Sequence, residues 1–461
     1  DPDAVPMSRS AVRPSSRRRW LRVAAVTGAT PILNLPAGCA SPPPGASRGG
    51  GAPRVVIVGA GVAGATLAVQ LKREGGEGID VVLIEREPRY VSAPLSNAVI
   101  GGWRRIEQLT WGYDGLRRLG VRVMHEEATA IDPSSARVRL RDGTSVHADR
   151  IVLACGAEPV SARIDGYGPE VQALVLHAWQ QARQVEALRQ RLVRLADDAT
   201  VLLSIPRAPY SGQMAPYERA CQLATYLRQT RPRARLVVLD ANPSIPVAPD
   251  VLHRIFRQRF MGVIDYRPNC IVTDVGGDAR HVVLEGGERV RADLLNVIPP
   301  GQAGRLAREA GLTGADGRWC DVAWPSMSSV RWPLVHVVGD AVASPPGMAK
   351  SAAMAVAHAQ WAARSILEAL LVRAPEDPPR RDGAIVARQF AFVDSRSALG
   401  ITSVHRFDAA RGTWSEVAGL PADGIDEQGL PLQPGVRGPG DPQGTQALAW
   451  TRQLWKDMLE T

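Results

Sequence analysis

The stretch "RVVIVGAGVAGATLAVQLKREG" (54–75) constrains the fold more than any other part of the chain. An apolar, β-branched run leads straight into Gly59-x-Gly61-x-x-Gly64, and a helical pattern follows without a break. A glycine turn between a buried strand and a helix suits the βαβ unit that seats a dinucleotide pyrophosphate on a helix N-terminus. Gly59 makes the tight turn, and Gly61 lets the pyrophosphate approach the backbone. Ala63 belongs to the same cradle, and Gly64 lets helix and strand pack closely. Glu85 ends the next apolar run, "IDVVLIERE", at the spacing where an acid accepts hydrogen bonds from ribose hydroxyls.

FAD and NAD share this fingerprint, so a second feature has to separate them. Val338-Gly339-Asp340 ends another buried run, "PLVHVVGDA" (333–341), and an alanine-rich helical stretch (350–372) follows. There an Asp can accept a hydrogen bond from a ribityl hydroxyl, and the helix can aim its dipole at a flavin ring. The pairing favours FAD; a helix-capping role is the alternative for Asp340. A second unit begins at the apolar run 200–205, but its turn, "PRAPYSGQMAPYERA", has a single glycine, Gly212, among prolines. It cannot form the glycine cradle that an NAD pyrophosphate needs. Electrons must therefore leave the flavin by a route other than nicotinamide.

The expected fold is α/β. Two Rossmann-like three-layer domains are followed by a C-terminal α+β interface domain, the arrangement of the disulfide reductases. The boundaries read 1–53 for a leader and linker, 54–160 with 292–372 for the FAD domain, 161–291 for the second Rossmann-like domain without an NAD site, and 373–461 for the interface domain. A closing amphipathic helix, "TQALAWTRQLWKDMLE", turns Trp450, Leu454 and Trp455 toward the protein body rather than a membrane. With 461 residues, 45% apolar and 22% charged, the composition is that of a globular protein.

The formal charge is +9, but six arginines within the first 22 residues stand against Asp1 and Asp3 and leave +5 for the rest. No Lys/Arg-rich run occurs in the body, which argues against nucleic-acid binding. The five cysteines (39, 155, 221, 270 and 320) are odd in number and lack a C-x-x-C, so neither a zinc site nor an attached c-type haem is expected. Ser16-Arg17-Arg18-Arg19-Trp20-Leu21-Arg22 has the twin-arginine form and precedes a weakly apolar stretch too short to span a bilayer. It reads as an export signal for a folded, cofactor-bearing periplasmic protein, removed after Ala40 or leaving a lipid on Cys39. Asp1–Pro6 read as an extension ahead of Met7. The mature chain is expected to hold no integral membrane segment.

Several stretches, "HAWQQARQVEALRQRL", "PYERACQLATYL", "ADLLNVIPPGQAGRLAREAGLT", "VHVVGDA", "GYDGLRRLGVRV" and "APLSNAVIGG", resemble the flavoprotein subunit of flavocytochrome c sulfide dehydrogenase. That family is similar to the sulfide:quinone reductases and, more distantly, to the disulfide reductases. The resemblance runs over about 54–460 and implies FAD, with a separate c-type cytochrome or another periplasmic redox protein as electron acceptor. It implies that Arg86, Ala93, Asn97, Thr129, Ala154, Gly156 and Gly339 lie at the cofactor, and that Lys350 lies beside the flavin ring, where a cation would stabilise the reduced form.

The departures are as informative. The family links FAD through a cysteine just before "LSN"; here Ala93 stands there, so the FAD is expected to be non-covalent. The two redox cysteines of the family fall on Gly212 and Gln389. Persulfide chemistry needs a sulfur electrophile or leaving group, which neither residue supplies. Cys155 and Cys221 read better as packing thiols than as substitutes. Glu218 is retained and reads either as a proton acceptor beside the flavin or as an acid favoured by its helix dipole. Three functions remain: a periplasmic FAD oxidoreductase passing electrons from a small reductant, by default a sulfur compound, to a cytochrome; the same scaffold acting on another small reductant; or a non-catalytic subunit of an electron-transfer complex.

Overall fold

The computed structural model describes residues 51–179, 182–371, 383–417 and 435–459. The twin-arginine stretch, Cys39 and most of the linker and of the 375–383 boundary stretch lie outside the described residues.

Strand β1 (Arg54–Val58) is fully apolar after its first residue because both faces of a parallel sheet are covered. It pairs in parallel with β2 (Asp80–Ile84) on one side and with β4 (Arg150–Leu153) on the other. Strand β3 (Arg122–Met124) extends the sheet beyond β2, and β9 (Val335–Val337) extends it beyond β4. Helix α1 (Val62–Gly75) lies on α5 (Ala352–Leu371), and the alanines of α5 keep the two close. The register brings four strand ends level. The Gly59 amide donates to the Ile84 carbonyl, the Ala154 amide to Val58, and the Val338 amide to Leu153, each within 3.0 Å. Gly59, Glu85, Ala154 and Gly339 thus share one edge, the edge where open α/β sheets bind ligands.

A second parallel sheet is ordered β7 (Ile264–Arg267), β6 (Arg235–Asp240), β5 (Thr200–Ile205), β8 (Leu294–Val297). Helices α3 (Ala182–Val193) and α4 (Ala215–Thr230) belong to this unit, and a meander of three short strands (272–275, 281–284, 289–291) adjoins it. The third unit is antiparallel. Strands β10 (Ala384–Phe392), β11 (Ala398–Asp408) and β12 (Thr413–Glu416) form a sheet to which Gly435–Gly440 adds on β11, and α6 (Asp441–Leu459) follows.

Specific contacts fix the third unit to the other two. Gln222 and Thr225 on α4 donate to the Phe392 and Val393 carbonyls at 2.9 and 3.0 Å. On α6, Leu454 and Trp455 are buried, and the Trp455 indole donates to Ser92 Oγ at 2.9 Å. Burying such side chains contributes about 1.5–3 kcal/mol each, which favours docking of α6 on the protein body.

Candidate functional site

All three units border one cleft of about 1670 Å³, open mouth included. Its first wall is the glycine turn. Gly59 has φ +101°, and a Cβ there would lie 2.6 Å from the Ala154 carbonyl oxygen. A Cβ on Gly64 would fall 1.8 Å from the Gly59 oxygen, so this glycine is required by packing alone. Gly61 is different: nothing lies within 4 Å of the position its Cβ would take. That open space lies at the start of α1, where the positive end of the helix is directed. Gly156, at φ +64°, leaves a similar opening across the cleft.

Glu85 is held by the amides of Ala60 (2.8 Å) and Glu87 (2.9 Å), which fix it beside the turn without lining the cleft. Gly61, Ala63, Ala93, Asn97, Ala154, Gly156, Gly339 and Asp340 do line it. Gly59, Gly64, Arg86 and Thr129 do not. The Arg86 side chain is two-thirds exposed, 3.7 Å from Glu87. The Thr129 hydroxyl turns to the Arg139 carbonyl at 3.3 Å.

At the far end the N-terminus of α5 opens onto the cleft through Ser351, Ala352 and Ala353, and the Ser351 hydroxyl accepts from the Met354 amide at 3.2 Å. Asp340 accepts from the Ser211 hydroxyl of the second domain. Lys350 does not line the cleft. Its ammonium is buried, donates to the Asp340 (3.0 Å) and Val342 carbonyls, and sits 3.9 Å from the centre of the Trp319 ring. It braces the Asp340 turn from behind. Burial draws the ammonium down to about 8, with Asp340 pulling the other way.

Gly212 and Gln389 both line the cleft, on the loop before α4 and on β10. Gly212 adopts φ +63°, and its amide and that of Gln213 donate to the Lys350 carbonyl at 3.1 and 3.3 Å. A cysteine put back at Gly212 would therefore enter a strained, left-handed backbone. Among the described residues Cys155 is the cleft's one thiol, and burial raises it to about 11, far from thiolate at neutral pH. Cys221 is buried, and its thiol is pushed up further.

Glu218, on the first turn of α4, is half-buried in the cleft wall. Its carboxylate accepts from the Phe392 amide (2.8 Å) and the Asn97 side chain (2.7 Å). Desolvation raises its proton affinity, while those two donors and Arg219 work against the rise. Trp179, Met214, Phe390, Phe392 and Trp450 line the same cleft, so it has an apolar share close to the acid.

The second domain ends its strand β6 in an acid too, but Asp240 is fully buried. One carboxylate oxygen accepts from the hydroxyls of Tyr217 (2.7 Å) and Tyr266 (2.8 Å), and the other from the Asn242 amide and side chain. Hydroxyls of two tyrosines thus seal the acid that ends β6 from within the protein.

The central-domain model of the sulfide dehydrogenase (flavocytochrome c) flavoprotein chain matches residues 185–299, and the pyridine nucleotide-disulphide oxidoreductase model matches 53–203. The solved sulfide:quinone oxidoreductase of the hyperthermophilic bacterium Aquifex aeolicus superposes with a TM-score of 0.69 at 20% identity, over 88% of this chain and 92% of that one. This is a disulfide-reductase-like flavoprotein fold. Sequence relatives include a probable ferredoxin reductase of Castellaniella defragrans, 37% identical over 24% of this chain and 28% of its own length. The mitochondrial sulfide:quinone oxidoreductase of Dictyostelium discoideum is 23% identical over 62% of this chain and 65% of its own length. The chain thus spans less than two thirds of the length of either relative. The matches imply a flavin cofactor.

The open space at Gly61, the acid at Glu85 and the ring of small residues along the cleft fit that group. Among the described residues no cluster could hold a metal ion, and no helix is long and apolar enough to cross a membrane. Sequence reasoning did not single out Arg219, Ser211, Trp179, Asp240 or the cleft-lining part of α6. For Asp240 a signal was there: "ARLVVLD" ends in an acid at the strand position where Glu85 stands in the first unit.

Proposed function

We propose that this chain is a periplasmic FAD-dependent oxidoreductase that takes electrons from a small reductant and passes them to a c-type cytochrome or another periplasmic redox protein. The sealed Asp240 carries the reading, because it leaves a flavin in the cleft without a nicotinamide neighbour. When bound, the flavin supplies an acceptor for two electrons that can be returned singly. The chain's own residues do the rest. Gly61 and the first turn of α1 would receive the pyrophosphate, Asp340 would take a ribityl hydroxyl, and the α5 N-terminus would offer its positive end to the flavin. Glu218 takes the substrate proton, and the apolar walls exclude water around it.

A second reading, transfer straight from a non-sulfide reductant, is favoured by one observation: Gly212 and Gln389 face the cleft where the family places its sulfur pair. Anaerobic mixing of the purified yellow protein separates the readings. Sulfide is expected to leave the flavin absorption unbleached, NADH likewise, and chemically reduced protein is expected to reduce cytochrome c. Bleaching by sulfide would restore sulfur chemistry, bleaching by NADH would overturn the sealed-site reading, and a protein that stays colourless with added FAD would be a non-catalytic subunit.

A further inference from the structure

Arg219 is about 1% exposed, yet its four hydrogen bonds end on neutral oxygens. The guanidinium donates to Asn97 Oδ1 (3.0 Å), to Asn296 Oδ1 (3.1 Å), and to the carbonyls of His177 (2.8 Å) and Ala178 (2.6 Å), and it lies over the Trp179 ring at 4.9 Å. Burial draws it down to about 9, which leaves it charged at neutral pH. A buried cation without a touching carboxylate is costly unless it balances a charge nearby.

That charge is one amide away. Asn97 accepts from Arg219 Nε through its oxygen, and its nitrogen donates to Glu218 Oε2 (2.7 Å) and to the Ala215 carbonyl (2.9 Å). With one donor on one side and two acceptors on the other, the amide fits in a single orientation. Reversing it would set NH₂ against the guanidinium and oxygen against the carboxylate. Arg219 therefore dictates that Asn97 presents a donor to Glu218.

We propose that Asn97 and Arg219 are positioning residues for Glu218: the guanidinium locks the amide that donates to the carboxylate, and its charge opposes the charge of the ionised carboxylate. The proposal rests on the reading of Glu218 as proton acceptor. Before the step, the carboxylate carries −1 and Arg219 +1. The substrate would give a proton to Glu218 and a hydride, with its electron pair, to a bound flavin. Glu218 would become neutral as the hydride carries one negative charge to the flavin, so the total charge would stay the same. No net charge is created in a site of low polarity, where an uncompensated one is most expensive.

Two neighbouring titratable groups, Cys221 and His177, do not supply this balance. Cys221 on the same helix is neutral because burial pushes its thiol up, and His177 behind Arg219 is held down to about 4 and is neutral too. Arg388 lines the cleft from β10 and adds a second positive charge, and α2 (Ser96–Gly101) contributes the neutral Ser96 and Asn97.

The test is an infrared pH titration of the flavin-free full-length protein, with the Glu218 carboxyl band assigned by its loss in Glu218→Gln. Asn97→Leu and Arg219→Met are each expected to raise its midpoint by about one pH unit or more, and Arg219→Lys to recover part of the shift. The pH profile of flavin reduction in the loaded protein should move with it. An unchanged midpoint in Asn97→Leu overturns the proposal, and an unchanged midpoint in Arg219→Met alone removes the arginine from it. If Arg219→Met does not fold, Asn97→Asp decides: a carboxylate facing Glu218 must raise the midpoint more than leucine does. A shifted midpoint combined with full activity of Glu218→Gln would leave the positioning intact and dispose of Glu218 as the proton acceptor.

Discussion

The Tyr217 hydroxyl donates to Asp240 across 2.7 Å, so the acid that ends β6 is occupied from within. Tyr217→Phe removes a hydrogen bond to a buried charged acceptor and is expected to destabilise the protein by about 1.5–3 kcal/mol, read from urea unfolding. NADPH and NADH should neither raise the melting temperature nor reduce the flavin. If Tyr217→Phe unfolds at the wild-type urea concentration, the Tyr217–Asp240 hydrogen bond does not contribute to stability.

Two glycines of one turn should fail in different ways. Gly64→Ala places a methyl 1.8 Å from the Gly59 oxygen and is expected to prevent folding outright, seen as insoluble protein. In Gly61→Val the Cβ meets no protein atom within 4 Å, so the fold should survive while flavin retention falls more than tenfold, measured by absorbance after gel filtration. Unimpaired flavin retention in a folded Gly61→Val protein would show that the pyrophosphate lies elsewhere.

Ala93 lines the cleft and has no sulfur to offer a flavin. Acid precipitation should leave the flavin in the supernatant, intact and free. Flavin that stays with the pellet would mean a covalent link made by another residue.

Lys350 makes a prediction with a definite sign. Its proton affinity is lower in the folded protein, about 8 against 10.5, so between those values the unfolded chain binds the extra proton. Stability should therefore rise with pH from about 8 to 10.5, by about 1.4 kcal/mol for each pH unit, and carry its full penalty below 8. Lys350→Met should flatten that part of the curve in urea titrations across the range. A wild-type stability that falls steadily from pH 8 upward would place the ammonium in a far more polar setting.

The glycine turn was legible because its residues act through backbone geometry, which sequence spacing encodes directly. The strand ends that line up at Gly59, Glu85, Ala154 and Gly339 follow from the parallel sheet those runs predict. Lys350 shows the limit. The family resemblance implied a side chain beside the flavin ring, but its direction is decided by the carbonyls of Asp340 and Val342 and by the Trp319 ring, which are tertiary contacts. Arg219 was illegible for the same reason. Its acceptors come from α2, β8 and the loop before α3, and no spacing within "PYERA" announces them. The closing helix was expected to turn Trp450, Leu454 and Trp455 to the body; Leu454 and Trp455 are buried there, while Trp450 also borders the cleft.

That helix has a consequence for how the protein is assembled. Ala447, Trp450 and Thr451 border a chamber whose opposite wall is the turn at 59–64. During synthesis the glycine turn emerges long before α6 exists to cover it. A cofactor can therefore meet an open cradle first, and α6 completes part of the chamber wall only afterwards, when Trp455 reaches Ser92.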